Sequence, residues 1–270
     1  MALKHLVERY ETLKKHANSD LLSEDVTTTL LEIVEIGLDF LESQCKKIEL
    51  ESKVPGKTYF AFQPKDSERL SRPVNVALYL PNSARNHLHA VLSGQPEQVP
   101  YDALREALYS SAMAYCCATD TTKRGDKKTP GTYFEKLVAH IMAKQYGVQP
   151  TTSTKVLNLD MDEDLTTDYV FDLGSELSRI HLPIKTSTRE RGIMVWAHQR
   201  ILDSIYGVGR FRGVLVSLAE TLLREKERAV YEVCVPKQWQ AYQMFIAQVH
   251  RVYYFDPPAK YMELENPIHF

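Results

Sequence analysis

Residues 168–191 read DYVFDLGSELSRIHLPIKTSTRER, and two runs within this stretch decide how the chain is organised. Asp168 to Leu173 and Ile180 to Thr186 are rich in the aromatic and β-branched residues that favour strands, and Gly174-Ser175-Glu176-Leu177-Ser178-Arg179 between them carries turn chemistry. The spacing predicts a hairpin. Its arms bring Asp168, at the start of one, and Lys185, near the end of the other, towards the same point. Arg189-Glu190-Arg191 follow at once.

Working outward, Pro130-Gly131-Thr132 opens a helix that runs to about Tyr146 and stops at Gly147. Phe134, Leu137, Val138, Ile141 and Met142 form its apolar arc, with Glu135 near the edge. A strand is expected at 155–159. Downstream, a helix at about 193–206 should pack Ile193, Trp196 and Ile201 against the strands. Gly207, Gly209 and Gly213 then lead into a strand at 214–218, and another strand (229–235), a helix (238–249) and a last strand (251–255) close the chain. Alternating helix and strand signals of this kind argue an α/β class. The preceding part differs. Leu30, Leu31, Val34, Leu38 and Leu41 repeat at helical spacing, residues 101–117 read as another helix, and a Pro-bearing section between them holds one strand-like run at 74–80. This gives a mainly helical region over 1–125 before a second domain over 126–270, with no internal repeat.

Composition narrows the function classes. The chain has 270 residues, 44% hydrophobic and 25% charged, enough for one large or two small cores. A net charge of −2 provides no global attraction to nucleic acid, so any such contact must come from locally gathered Lys and Arg. The densest basic run, Lys123-Arg124-Gly125-Asp126-Lys127-Lys128, reads as a loop that is either solvated or in contact with phosphate. The four cysteines lack paired metal-ligand spacing and the N-terminus is charged, which suggests a reducing, cytoplasmic setting. No run approaches the roughly 18 apolar residues of a membrane span.

An acid and a lysine meeting at one point suit metal-assisted phosphodiester hydrolysis. Mg²⁺ prefers carboxylate oxygens, for which Asp168 is the candidate, and Lys185 can orient the attacking water or offset developing charge. An ordinary exposed ion pair is the other reading of the same two residues. Asp160, Asp162, Glu163 and Asp164 compete from an acidic loop upstream, and Asp172, two strand positions of the same face further on, is the fallback. The triplet Arg189, Glu190 and Arg191 fits the edges of G·C pairs, since arginine donates bidentately to guanine and a carboxylate accepts from cytosine. Taken alone, the triplet reads first as a helix start with alternating surface charge.

The order of elements, and the arginine-acid-arginine triplet starting four residues after Lys185, resemble type II restriction endonucleases of the PD-(D/E)xK superfamily that recognise CCGG or CCNGG. The resemblance covers roughly 130–218. It implies a PD-(D/E)xK core, a central mixed sheet flanked by helices, with the helical region at 1–125 supplying dimer and flanking DNA contacts. It also implies Mg²⁺ as cofactor, double-stranded DNA as partner and Arg189, Glu190 and Arg191 as base readers. Two departures stand out: Pro183 occupies the position of the acid that normally precedes the lysine by two, and His198 and Gln199 stand where a helix acid is expected. Glu135, on the helix before the sheet, matches an acid that superfamily members place there, and with Asp168 it becomes the metal pair. His198 or Gln199 is then a metal or water ligand. A palindromic site calls for a homodimer, with higher assembly left open. The expected activity is double-strand cleavage within CCGG, leaving 5′-phosphates. The alternatives are a CCNGG or CCWGG cutter that extrudes its central bases, calling on Tyr59, Phe60 or Phe62 as a platform, and a DNA-binding protein of the same fold without catalysis.

Overall fold

The computed structural model describes residues 2–123, 125–126, 128–155, 164–174, 178–188 and 192–262. The chain divides into two compact units, Met1–Gln145 with Thr221–Val233, and Tyr146–Glu220 with Cys234–Phe270.

The first unit is helical at the outset, with α1 (Ala2–Ser19) and α2 (Glu24–Gln44). Helix α2 buries Val26, Leu30, Ile33, Val34, Leu38 and Leu41, the stripe expected from the helical spacing. Gly37 lies on that stripe because a β-carbon there would sit 3.1 Å from the Ala114 backbone on α4 (Tyr101–Thr122). The sequence reading missed β1 (Cys45–Ser52) and β2 (Tyr59–Pro64), which pair antiparallel from Cys45–Pro64 to Leu50–Tyr59. Strand β1 follows α2 without an intervening turn, so no loop signal separates them. The strand expected at 74–80 reduces to β3 (Val74–Asn75), because the chain turns at 76–78, with Leu78 and Tyr79 donating to the Asn75 carbonyl, before α3 (Pro81–Leu92) begins. Tyr59, Phe60 and Phe62 are buried in β2, where Phe60 and Phe62 meet edge to face at 5.1 Å. They are core residues, which removes them as an exposed stacking platform. Helix α5 (Lys128–Tyr146) carries Glu135, half-buried, beside the buried Phe134 and Leu137. The two remaining strands come from late in the chain. In the order β3-β2-β1-β10-β9, the hairpin of β9 (Thr221–Arg224) and β10 (Ala229–Glu232) joins the sheet through a parallel pairing of β10 with β1.

The second unit holds β4 (Thr151–Lys155), β5 (Asp164–Phe171), β6 (Arg179–His181), β7 (Ile184–Lys185), β8 (Phe211–Ala219) and β11 (Val249–Asp256), with helices α6 (Ile193–Tyr206), α7 (Pro236–Phe245) and the short α8 (Ala259–Met262). The sheet runs β11-β8-β6-β5-β4, with β7 pairing β8. β5 is antiparallel to β4 and β6, whereas β6, β7 and β11 run parallel to β8, so the sheet is mixed. Parallel strands on both sides suit the near-continuous burial of β8 from Gly213 to Ala219.

Helix α6 covers this sheet with Val195, Trp196, Gln199 and Leu202, which recur at helical spacing and are all buried. Ile193 and Ile201 lie off that stripe and are exposed, contrary to the packing expected for them. Trp196 joins Leu215, Trp239, Val249, Val252 and Tyr261 in one cluster, and Leu202 packs with Val170 and Phe211 in another. All four cysteines are outside disulfides. No helix among the described residues is long and apolar enough to cross a membrane.

Candidate active site

Asp168 and Lys185 do meet, by a route different from a simple hairpin. β5 and β6 pair through Val170–His181 and Phe171–Ile180, as the turn signals at 174–179 imply. The second arm stops there. Leu182 donates to the Tyr169 carbonyl at 2.8 Å, and Pro183, which has no N–H to give, lets the chain leave β5 and begin β7 alongside β8. Lys185 thus reaches Asp168 from β7, a separate strand paired in parallel with β8. Its ammonium donates to Asp168 Oδ2, which also accepts from the Ile184 amide at 2.8 Å. Both side chains are partly buried, 32% and 24% exposed, so the pair is screened less than a surface ion pair. Among the described residues no hydrogen bond engages Asp168 Oδ1.

Asp168, Val170 and His181 share one face of the sheet, by period two along β5 and by register across to β6. α6 lies over that face. His181 is fully buried, and its Nδ1 lies 3.3 Å from Gln199 Oε1. Gln199 in turn donates from Nε2 to the Phe211 carbonyl at 3.0 Å and to Asp203 at 2.9 Å, which fixes its oxygen as the acceptor towards His181. The proton of His181 therefore sits on Nδ1. Nε2 has no hydrogen-bond partner among the described residues. Burial is the main reason that His181 is held down to a pKa of about 4, with the Gln199 bond opposing and nearby His198 assisting. His198, half-buried with its ring 6.2 Å from that of His181, is also lowered by burial, while Asp168 pulls it up and Lys185 pushes it down. His198 is thus a neighbour of the acid–lysine pair. Gln199 is not free to serve a ligand, since both its amide atoms are taken. It also lies close over β8, where a β-carbon on Gly213 would come within 2.7 Å of its oxygen.

The competing acids have separate duties. Asp172 accepts from the Gly174 amide at 3.1 Å and from Arg179 at 2.8 Å, and those contacts hold it below the usual carboxylate range. Asp164 accepts from Ser153 across the β4–β5 pair. Asp160, Asp162 and Glu163 lie outside the described residues, as do the triplet Arg189, Glu190 and Arg191 and, in the basic loop, Arg124 and Lys127. Of that loop, Lys123 and Asp126 form a long ion pair, and Asp126 accepts from the Thr129 amide at the start of α5. One residue that sequence reading passed over is prominent: Glu220, 1% exposed, collects Ser187, Thr188 and Tyr254 immediately beyond β7.

The described residues hold no group of three or more His, Cys, Asp or Glu side chains able to bind a metal ion. Asp168 Oδ1, engaged by no hydrogen bond among the described residues, could supply one carboxylate oxygen to a cation such as Mg²⁺, which keeps several waters and completes its shell with substrate phosphate.

The chain is similar to the type IIP restriction endonuclease Kpn2I, with 24% sequence identity and a TM-score of 0.81 over 97% of this chain and 90% of that one. A complex of the restriction endonuclease PspGI with substrate DNA matches at 13% identity and a TM-score of 0.40, over 86% of this chain and 78% of that one, too distant to carry an argument. No protein-family model and no curated protein matches the chain.

Proposed function

We propose that this chain is a site-specific, metal-dependent endonuclease that hydrolyses both strands of DNA at a palindrome containing CCGG and leaves 5′-phosphates. One observation carries the reading: Lys185 donates to Asp168 at the meeting of β5 and β7, within a fold shared with Kpn2I. Asp168 is assigned to hold Mg²⁺, and Lys185 to orient the attacking water and offset charge on the phosphate. Bound there, the cation would activate water and neutralise the pentavalent phosphate. Arg189, Glu190 and Arg191 are assigned to base reading, in chain continuity with the catalytic lysine. His198 is assigned to hold the metal directly or through a water beside the pair. A homodimer would match a palindrome, with residues 1–125 supplying dimer and flanking contacts.

Plasmid DNA of known sequence, incubated with the protein and Mg²⁺, is expected to yield discrete fragments whose ends map to one site, and chelation by EDTA should abolish them. Absence of cutting under Mg²⁺, Mn²⁺ and Co²⁺ would leave the reading without support. A second reading, a DNA-binding protein of this fold without catalysis, is favoured by Pro183 and His198 standing where acids are expected. Tight site-specific binding without cleavage would select it.

A further inference from the structure

We propose that Glu220 is a positioning residue for this same site: it fixes the strand end that carries Lys185 and sets where the chain enters Arg189-Glu190-Arg191. The inference rests on the endonuclease reading above. Its basis is a ladder in which residues 183–188 are fastened stepwise to the end of β8. Val216 donates to the Pro183 carbonyl at 3.0 Å, Ile184 and Lys185 pair with Val216 and Ser217, and Ala219 donates to the Thr186 carbonyl at 3.3 Å. There the backbone pairing ends. The Glu220 carboxyl supplies the next two rungs, Oε2 accepting from Ser187 Oγ at 2.7 Å and Oε1 from the Thr188 amide at 2.8 Å, with the Thr188 hydroxyl donating to Oε1 as well.

The far side of the same group is also tied. The Tyr254 hydroxyl on β11 donates to Oε1 at 3.1 Å, and Ser217 lies at 3.5 Å. Burial and the adjacent Glu220 push the Tyr254 pKa up, so its hydroxyl stays a donor. Several donors converge on this one buried group, the Thr188 amide and hydroxyl and the Tyr254 hydroxyl on Oε1 and the Ser187 hydroxyl on Oε2. Removal would leave the Thr188 amide, in a residue 3% exposed, without its acceptor. The exit from β7 would then lose its fixed position, while the bonds of Lys185 and Ile184 to Asp168 involve no atom of Glu220.

The test compares Glu220→Ala and Glu220→Gln with the wild type. Binding is measured without metal to duplex pools centred on CCGG and on CCNGG, each against the same pool with its first C·G pair changed to T·A. Wild type should prefer one intact centre. Glu220→Ala should lose about tenfold of that preference, or ~1.4 kcal/mol, with affinity for the altered pool unchanged. Glu220→Gln should retain the preference, since its oxygen still accepts from the Thr188 amide and its NH₂ can donate to Ser187 Oγ. A purely structural role would lower both affinities together. A folded Glu220→Ala protein that discriminates like wild type overturns the inference. If that variant does not fold, the double variant Ser187→Ala, Thr188→Pro removes both hydroxyls and the Thr188 N–H that bind Glu220, and undiminished discrimination there overturns it equally. A wild type that discriminates between no pools overturns the endonuclease reading itself.

Discussion

Lowering the pH from 7 to 5 should cost this protein about 2 kcal/mol of stability through His181 alone. In the fold its imidazole is sealed between β6 and α6, its Nδ1 proton given to Gln199, and its pKa held down to about 4 from an ordinary 6.5. Because the folded value is the lower one, the unfolded chain binds the extra proton first, so stability is complete above about pH 6.5 and falls as pH drops towards 4. At pH 5 the unfolded imidazole lies about 1.5 units below its pKa while the folded one remains mostly neutral, and at about 1.4 kcal/mol per unit this gives the stated loss. His198 opposes protonation of the ring and Asp168 favours it, both through space. His140, buried in the first unit and also lowered, adds in the same direction. Urea unfolding at pH 7 and pH 5 should show wild type losing about 2 kcal/mol more than His181→Asn. NMR titration of the ring C2 proton should place its midpoint near 4. A midpoint near 6.5, or equal losses in the two proteins, would refute the reasoning.

Asp168→Ala is expected to abolish cleavage while leaving metal-free DNA binding largely intact, read by plasmid digestion alongside a gel-shift titration; normal cutting would displace Asp168 from the centre. Gly213→Ala should push the Gln199 amide off His181, destabilise the fold by about 1–3 kcal/mol, and move the His181 NMR midpoint away from its wild-type value. Leu202→Ala empties the contact with Val170 and Phe211 and should cost about 2–5 kcal/mol in denaturant unfolding. Its effect on the ring titration should be small, because Leu202 makes no hydrogen bond to the histidine or to Gln199.

The parts of this molecule legible in the sequence are those written in local patterns. Aromatic and β-branched residues marked β5, helical spacing marked α2 but only Trp196 of the buried face of α6, and turn residues marked the join of β5 to β6. Asp168 and Lys185 could be matched because they flank one such join. Pro183 was read as the loss of an acid, when it also marks where the chain changes strand partner. Strands β1 and β2 escaped because one abuts a helix without a turn and the other sits among prolines, and because β1 finds its parallel partner in β10, far along the chain. Glu220 carries no local signature: Ser187, Thr188 and Tyr254 lie 32 to 34 residues from it, and only the pairing of β7 and β11 with β8 gathers them. Gln199 was placed by resemblance at a ligand position, yet two strands claim its amide.

The stepwise fastening of 183–188 to the end of β8 has a consequence for redesign. Each of these residues has a fixed partner, so the segment tolerates exchange of side chains beyond its last rung far better than any change in its length. A library randomised at 189–191 would leave every rung intact and sample new preferences with Lys185 unaltered. One residue inserted or deleted between Lys185 and Thr188 would put the Thr188 amide out of step with Glu220. Variation in this chain is therefore open to substitution and closed to insertion across that short span.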